Sequence, residues 1–194
     1  MKLIVGLGNP EPKYELTRHN VGFLAIDALV EKWKGQGPQK KFNAEVFSAE
    51  IFNEKVHLIK PQTYMNLSGK SIGEFFHYYH CTSSNLIVIH DDLDLPIFSI
   101  KLKTGGGTGG HKGLESLFQH LGKDHLDFYR IRIGIGHPRT LGRSIAPEKY
   151  VLETFSDEEC KTLSVTLTKV CEAIELALGK NFSKAMTEYN KASE

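Results

Sequence analysis

The sequence predicts an α/β protein with a single domain over residues 1–194. In this fold a twisted, mostly parallel (mixed) sheet is flanked by helices, and a C-terminal helix packs on the sheet. The wholly apolar runs Lys2–Leu7 and Leu86–His90 are typical of strands buried on both faces. Strand-like and helix-like patterns alternate along the chain. The length of 194 residues and the 40% share of hydrophobic residues suit one globular domain.

In the first half of the chain, a polar loop at Gly8–Asn20 follows the first strand. The patterns then predict a helix, two strands and a second helix, at Asn20–Lys34, Ala44–Phe52, Val56–Ile59 and Asn66–His80. Asn20 stands directly before the first apolar stripe, so we expect its side chain to cap that helix. Glycine and proline at Gly35–Pro38 are expected to break the chain there.

In the second half, the patterns predict a strand, a glycine loop, a helix and a further strand, at Phe98–Lys103, Thr104–Gly110, Gly113–Leu121 and Phe128–Gly134. Gly122 is expected to end the helix. The chain then reads as a loop until Ser156. Ser156 and Glu159 have capping-box spacing before a long helix to about Leu178. A last short helix is expected at Asn181–Tyr189.

Composition argues against several classes of protein. No run of about 18 apolar residues occurs, so no membrane span is expected. The N-terminus enters a strand-like run directly and shows no signal-peptide pattern. Cys81, Cys160 and Cys171 are odd in number and include no CxxC pair, which argues against a disulfide framework and a cysteine zinc site. We therefore expect a protein of the reducing cytoplasm, without contact to a membrane.

Net charge is only +1, but the charges are unevenly distributed. Residues 101–143 contain eight Lys and Arg against three Asp and Glu, whereas residues 157–175 contain five acidic residues against two basic ones. This pattern is consistent with a positive face that meets phosphates, and equally with ordinary solvated surface.

Polar residues follow three of the predicted strands, at Gly8–Pro10, His90–Asp92 and Gly136–His137. Sites in parallel sheets form at the carboxyl ends of strands, so we expect these residues to converge on one rim.

The acidic cluster in the His90–Asp94 stretch has three readings. Asp91, Asp92 and Asp94 could hold a divalent cation, as in a nucleotidyl or glycosyl transferase. Alternatively, one carboxylate could orient a histidine. The third reading is a turn with local hydrogen bonds. Spacing alone leaves all three open.

Two glycine-rich stretches need separate treatment. Gly6-Leu7-Gly8 begins like a dinucleotide fingerprint, but Pro10 and Glu11 stand where backbone donors and the third glycine are needed, so nucleotide-cofactor binding is not predicted. The stretch 105–110 has five glycines in six positions. It is either a flexible connector or a loop whose bare backbone approaches a ligand.

Taken together, five blocks resemble the bacterial peptidyl-tRNA hydrolase family in order and spacing, over about Met1–Pro138. The blocks are Gly6-Leu7-Gly8-Asn9-Pro10 with Tyr14 and Thr17-Arg18-His19-Asn20, Lys60-Pro61-x-Thr63-Tyr64-Met65-Asn66-Leu67-Ser68-Gly69, His90-Asp91-Asp92-Leu93-Asp94-Leu95-Pro96, Gly105-Gly106-Gly107-x-Gly109-Gly110-His111-x-Gly113-Leu114, and Arg130-Ile131-Arg132-Ile133-Gly134-Ile135-Gly136-His137-Pro138.

The resemblance implies catalytic roles for three residues. His19 would be the general base, Asp91 would stabilise its proton-accepting form, and Asn9 would recognise the peptide. The bond cleaved would be the ester between a peptide, or an N-blocked aminoacyl group, and tRNA. His19 would activate a water molecule, and neither a metal nor another cofactor would be needed.

The resemblance also implies a substrate-binding set, comprising Tyr14, Tyr64, Met65, Asn66 and Lys112. Lys112 departs from the family pattern, which usually has asparagine after Gly-Gly-His. The contribution of that asparagine to substrate and water placement is therefore in doubt here. A lysine could instead meet a phosphate or ribose oxygen as a point charge. Lys101, Lys103 and Arg132 would contact tRNA phosphates.

We expect a monomer that acts on the acceptor stem and 3′ end of peptidyl-tRNA without an obligate protein partner. The segment Thr140–Lys149 is long and patternless enough to form a mobile lid, a point that the sequence leaves open. Two rival functions remain: the metal-dependent transferase using Asp91, Asp92 and Asp94, and a non-catalytic RNA-binding module.

Overall fold

The computed structural model describes residues 1–191, and its centre is a seven-stranded mixed sheet in the order β2-β3-β4-β1-β5-β7-β6. The strands are β1 Lys2–Gly6, β2 Gln36–Lys41, β3 Ala44–Ile51, β4 Glu54–Pro61, β5 Leu86–Asp92, β6 Ile100–Thr104 and β7 Tyr129–Gly134. The helices are α1 Val21–Trp33, α2 Ser68–Tyr79, α3 Lys112–His120, α4 Pro147–Tyr150, α5 Asp157–Gly179 and α6 Phe182–Tyr189. The predicted α/β class is confirmed.

The sheet is covered on both faces, because residues of the central strands alternate between two apolar clusters. In β1, Ile4 joins the cluster shared with α1, α5 and α6, whereas Leu3 and Val5 join the cluster shared with α2 and α3. Phe182 of α6 stacks on Tyr129 of β7 with ring centroids 4.2 Å apart, so the C-terminal helices pack on the sheet as predicted. Among residues 1–191, no helix is both long and apolar enough to cross a bilayer.

The parallel strands β4, β1, β5 and β7 are neighbours, so their carboxyl ends lie at one edge of the sheet. The outer strands β2, β3 and β6 pair in antiparallel fashion. This topology brings the loop after β1, the acidic end of β5 and the loop after β7 to the same rim, as the sequence predicts.

The expected break at Gly35–Pro38 is wrong, because most of that stretch lies in the edge strand β2. The strand is polar and largely exposed, so it carries no hydrophobic pattern from which to predict it. Its pairing with β3 is irregular between Gln36 and Gln39, on either side of Pro38. An edge strand tolerates a proline there, because no second neighbouring strand needs a hydrogen bond from the missing N–H.

The stretch before Ser156, expected to be a loop, contains the one-turn helix α4. Pro147 occupies its first position, where a missing N–H is harmless. Tyr150 at its end is fully buried and donates a hydrogen bond of 2.6 Å to the carbonyl oxygen of Ile135. A single turn is too short to show helical periodicity, so the pattern could not reveal it.

Two helix boundaries confirm the cap predictions and one does not. Gly122 follows α3 with φ of 79°, which favours glycine. Ser156 and Glu159 form the reciprocal capping box at the start of α5. Asn20 precedes α1, but its side chain makes no cap bond. The prediction of an Asn20 cap is therefore wrong.

Candidate active site

His19 lies in a 3-10 turn, Arg18–Asn20, that leads from the loop after β1 into α1. Its backbone N–H donates to the carbonyl oxygen of Val151 at 2.8 Å. The neighbouring N–H of Arg18 donates to Glu153 O at 3.0 Å. The loop that carries His19 is therefore held by a segment far along the chain.

Asp91, near the end of β5, faces this histidine. Nδ1 of His19 lies 2.9 Å from each carboxylate oxygen of Asp91. Burial by itself would lower the pKa of His19, but the charge of Asp91 and its hydrogen bond raise it above 6.5. Because Nδ1 is directed at the carboxylate, Nε2 is the ring nitrogen left to act on solvent.

His111 is a second histidine that hydrogen-bonds Asp91, and no separate role was predicted for it. It is the N-cap of α3, where Nδ1 accepts from the N–H groups of Gly113 and Leu114 at 3.1 and 3.4 Å. Its Nε2 must then carry the proton, and lies 2.8 Å from Asp91 Oδ1. A histidine at the junction of a glycine loop and a predicted helix was the signal that could have identified it.

Asp91 is ionised in this setting. Burial would raise the pKa of Asp91, but the charges and hydrogen bonds of His19 and His111 hold it well below its usual range. One buried carboxylate thus accepts hydrogen bonds from two imidazoles whose ring centroids lie 5.0 Å apart.

His90 is a third imidazole in this cluster. Its ring packs edge-on against that of His111 with centroids 5.1 Å apart, and Nδ1 donates to the backbone oxygen of Asp91 at 2.7 Å. Burial, together with the charge of His111, lowers the pKa of His90 to about 3. His90 is therefore neutral and serves as a packing partner for the two groups beside it.

The aspartates proposed as a metal site do not converge. Asp92 Oδ2 accepts from Arg132 Nε at 2.7 Å, while Asp92 Oδ1 accepts from the N–H of Asp94 at 2.9 Å. Within residues 1–191, the group with metal-like spacing is His19, Asp91 and His111, which excludes Asp92 and Asp94. In that group both imidazoles already hydrogen-bond the one carboxylate. The geometry therefore favours the interpretation in which Asp91 orients a histidine.

Asn9, in the loop after β1, is fixed by hydrogen bonds to two neighbours. The backbone N–H and carbonyl of Asn9 bond to the side-chain amide of Asn20, at 2.8 and 2.9 Å. Oδ1 of Asn9 accepts from the N–H of Met65 at 2.8 Å. The Asn20 side chain therefore holds Asn9 instead of capping α1. In the described part of the chain, the Asn9 amide nitrogen remains as a free donor.

The other predicted peptide-side residues lie around Asn9. Met65 is buried, whereas Asn66 is exposed. Tyr64 is half exposed and its hydroxyl donates to Glu11. Tyr14 is partly buried under the ammonium group of Lys13, 4.8 Å from its ring centre. None of these four predicted residues lines the cavity beside His19 and Asp91.

That cavity has a volume of about 830 Å³. Its lining includes His19 and Asp91 together with the glycine loop 107–110 and residues of the segment 147–152. A second cavity, of about 650 Å³, lies between α1 and α5 and contains none of the predicted site residues.

Basic residues line the larger cavity, although not all of those predicted. Lys103 and Arg132 belong to its wall. Lys101 does not, because its ammonium group donates to the carbonyl of Asn190 at 2.9 Å. Arg130 was missed by the sequence reasoning. Its two terminal nitrogens each donate at 2.6 Å to a carbonyl of the glycine loop, and burial lowers its pKa to about 10.

Lys112 opens α3 at the cavity edge. Its side chain is 65% exposed, and its ammonium group lies 3.1 Å from Glu115. An exposed pair of this kind contributes little stability and leaves the lysine free to meet a ligand.

The fold and the site together define a class: an α/β protein with a buried histidine–carboxylate centre at the carboxyl rim of its sheet. The family model described as Peptidyl-tRNA hydrolase matches residues 3–194. The chain is 45% identical to peptidyl-tRNA hydrolases of Brevibacillus brevis and Bacillus subtilis, each over 190 residues and covering 98% of both chains. The crystal structure of peptidyl-tRNA hydrolase from Acinetobacter baumannii has a TM-score of 0.89 at 35% identity, covering 98% of this chain and 95% of that one.

The chain belongs to the peptidyl-tRNA hydrolase family. The family predicted from the five sequence blocks is thereby confirmed, and the metal-dependent transferase is not favoured.

Proposed function

We propose that the protein hydrolyses the ester bond between a peptide, or an N-blocked aminoacyl group, and tRNA. His19 is the general base. The observation that carries this proposal is the 2.9 Å contact of His19 Nδ1 with the buried Asp91 carboxylate, in the lining of a cavity of about 830 Å³. It leaves Nε2 as the basic nitrogen.

The chemistry needs only groups of the chain and one water molecule. Nε2 of His19 takes a proton as the water oxygen attacks the ester carbonyl, and the resulting imidazolium is stabilised by Asp91. The tetrahedral intermediate then expels the ribose oxygen, which receives the proton from His19. General-base catalysis of this kind supplies roughly 10²–10⁴-fold in rate. An ester is labile enough that no activated serine is needed.

Asn9 gives the site its peptide selectivity. Because Oδ1 is occupied by the Met65 N–H, its amide nitrogen is directed as a donor to a substrate carbonyl. Such a donor contributes roughly 3 kcal/mol when it meets developing negative charge. A site built for a neutral peptide amide disfavours the free ammonium of an unblocked aminoacyl-tRNA, which would be desolvated without a partner. The rest of the peptide-binding region is formed by Asn66, Tyr14 and Tyr64.

The basic wall holds the nucleic acid. Lys103 and Arg132 contact phosphates near the 3′ end of the acceptor stem, and the glycine loop lets backbone and ligand approach closely. Such contacts read no base sequence, so one enzyme serves many tRNAs. Lys112 adds a further positive charge at the edge. Lys101, tied to Asn190, is left out of this role.

The protein acts as a monomer in the cytoplasm, without a cofactor or an obligate partner. The support for this is that every group in the proposed reaction, from Asn9 to Asp91, comes from a single chain.

The direct test compares N-acetyl-aminoacyl-tRNA with free aminoacyl-tRNA as substrates, each with and without EDTA. We expect rapid hydrolysis of the blocked substrate only, unaffected by the chelator. Loss of activity in EDTA that added Mg²⁺ restores would instead support metal-dependent chemistry.

A variant separates catalysis from simple RNA binding. His19→Ala should abolish hydrolysis and leave tRNA affinity within about threefold, because the base makes few contacts to phosphates. His77→Ala, an exposed histidine on α2, is the matched control and should retain full activity. Equal loss of affinity and hydrolysis in His19→Ala would favour a non-catalytic RNA-binding module.

A further inference from the structure

Arg18 is a buried cation beside the general base that the reaction itself does not use. Its side chain is only 6% exposed. Nη2 donates to Glu159 Oε1 at 2.7 Å, while Nη1 donates to the backbone oxygens of Thr154 and Glu153 at 2.9 and 3.3 Å. A buried charge is tolerated only when it is paired and hydrogen-bonded, so this set of acceptors defines one position for the guanidinium.

Two aromatic rings contact the same group. The guanidinium carbon lies 4.8 Å from the ring centre of Tyr150 and 5.1 Å from that of Phe155. Both rings belong to the segment 150–155, which also supplies the two carbonyl acceptors. Arg18 thus binds to this segment through cation–π contacts and hydrogen bonds at once.

The segment 150–155 is joined to the His19 loop by backbone bonds as well. The N–H of His19 donates to Val151 O at 2.8 Å, and the N–H of Phe155 donates to Leu16 O at 2.9 Å. A β-bridge joins Thr17 to Thr154. Arg18 lies within this set of contacts, so its guanidinium helps to hold the segment 150–155 against the His19 loop.

The same segment forms part of the cavity. Val151 and Leu152 line it together with Pro147 and Glu148. One short stretch of chain therefore both accepts the backbone bond of His19 and supplies the wall that faces substrate. A shift of this stretch would move the base and the wall together.

We propose that Arg18 is a positioning residue for hydrolysis. Its guanidinium, anchored to Glu159 of α5, fixes the segment 147–155 and through it the orientation of the His19 imidazole toward Asp91 and the cavity. The proposal rests on the proposed function of His19 as general base. Lysine cannot replace arginine here, because a single ammonium cannot reach the carboxylate and both carbonyls while it also contacts two rings.

The first test is Arg18→Lys, which preserves the charge and removes the planar fork. Steady-state hydrolysis of N-acetyl-aminoacyl-tRNA is measured at a temperature at which circular dichroism shows the variant folded. We expect kcat to fall at least tenfold while KM changes less than threefold, since the contacts to phosphate are untouched. A folded variant with kcat within twofold of the original would overturn the proposal.

A second, milder pair of variants decides the question if Arg18→Lys does not fold. Glu159→Gln removes the charge partner of Arg18 but keeps an oxygen for the capping bond to Ser156. Its control is Glu175→Gln, also on α5, where the carboxylate pairs with Lys32 at 2.9 Å and does not line the cavity that contains His19. We expect kcat to fall about threefold to tenfold in Glu159→Gln and to stay unchanged in Glu175→Gln. Equal kcat in the two variants would reject the positioning role.

A substrate-free measurement separates this proposal from the proposed function. NMR titration of the His19 imidazole reports its contact with Asp91 directly. We expect the pKa of His19 to fall in Arg18→Lys, because the ring no longer faces the carboxylate squarely. An unaltered titration would contradict the positioning role even if the original protein hydrolysed no ester. If the original protein hydrolyses no ester but the titration of His19 is shifted in Arg18→Lys, the proposed function is contradicted and the positioning role is not.

Discussion

His111 Nε2 lies 2.8 Å from Asp91 Oδ1, while Nδ1 of the same ring accepts from the first amides of α3. The start of α3 and the Asp91 carboxylate are therefore joined by a single side chain. Because the cap requires an unprotonated Nδ1, it fixes the tautomer that donates to Asp91. The carboxylate is in turn held in place for His19 on its other side.

The first prediction concerns the pH dependence of hydrolysis. His19 acts as a base only when neutral, and Asp91 raises its pKa above 6.5. The acid limb of kcat/KM should therefore lie above pH 6.5 in the original protein and move to lower pH in Asp91→Asn, where the raising charge is gone. We also expect the plateau kcat of Asp91→Asn to fall by about 10²-fold or more, because the amide favours the wrong tautomer. An acid limb that does not move would show that another group governs the rate.

The contribution of the His19–Asp91 pair to the stability of the protein should be largest at an intermediate pH. The lowered pKa of Asp91 contributes stability that is present above about pH 4 and is lost as the pH falls toward the folded-state value. The raised pKa of His19 contributes stability that is present below 6.5 and is lost as the pH rises through its folded-state value.

In urea titrations, the difference in unfolding free energy between the original protein and Asp91→Asn should therefore be largest between about pH 4 and 6.5 and shrink on either side. A difference that stays constant from well below pH 4 to well above pH 6.5 would contradict the linkage between the two groups.

His111 should influence stability and activity separately. His111→Ala removes both the cap and the bond to Asp91, so we expect a loss of about 1 kcal/mol from the cap alone and a lower kcat. His111→Asn retains an acceptor suited to an N-cap and should recover most of the stability but not the kcat, since its shorter side chain does not reach the carboxylate. Thermal unfolding and steady-state kinetics on both variants make the comparison. Recovery of kcat by asparagine would assign His111 to the cap alone.

The sequence predicted the central strands and the strand-end rim because a strand buried on both faces leaves an apolar run, as in the predicted strand Leu86–His90. It could not predict β2, whose exposed residues carry no pattern, or α4, which is a single turn. The resemblance assigned roles to His19, Asp91 and Asn9. It did not reveal that Asn20 holds Asn9, or that His111 and Arg130 support the site. Those roles depend on contacts between residues far apart in the chain, which local patterns do not encode.

A close approach between β1 and α1 supports the His19 loop and can be tested by glycine substitution. A Cβ on Gly6 would lie 2.1 Å from the backbone oxygen of Gly22, which cannot retreat without moving α1. Gly6→Ala should therefore lower the free energy of unfolding by about 3 kcal/mol or more. Gly107→Ala is the control, because no atom of the described residues lies within 4 Å of a Cβ there. Equal stability of the two variants would show that α1 can shift at little cost in free energy.

Lys112 provides the sharpest test of how this chain departs from its family. Its ammonium group is exposed at the cavity edge and, among residues 1–191, pairs only with Glu115, so a phosphate or ribose oxygen can displace that weak partner. Lys112→Asn should raise KM for N-acetyl-aminoacyl-tRNA severalfold and flatten its salt dependence, because one cationic contact is lost. kcat should change less than twofold if the lysine binds and does not place the water.

Glu115→Gln is the companion variant and should lower KM, since it frees the ammonium group. An unchanged KM in Lys112→Asn would remove Lys112 from the binding surface, and a lower kcat would assign it to the reaction itself.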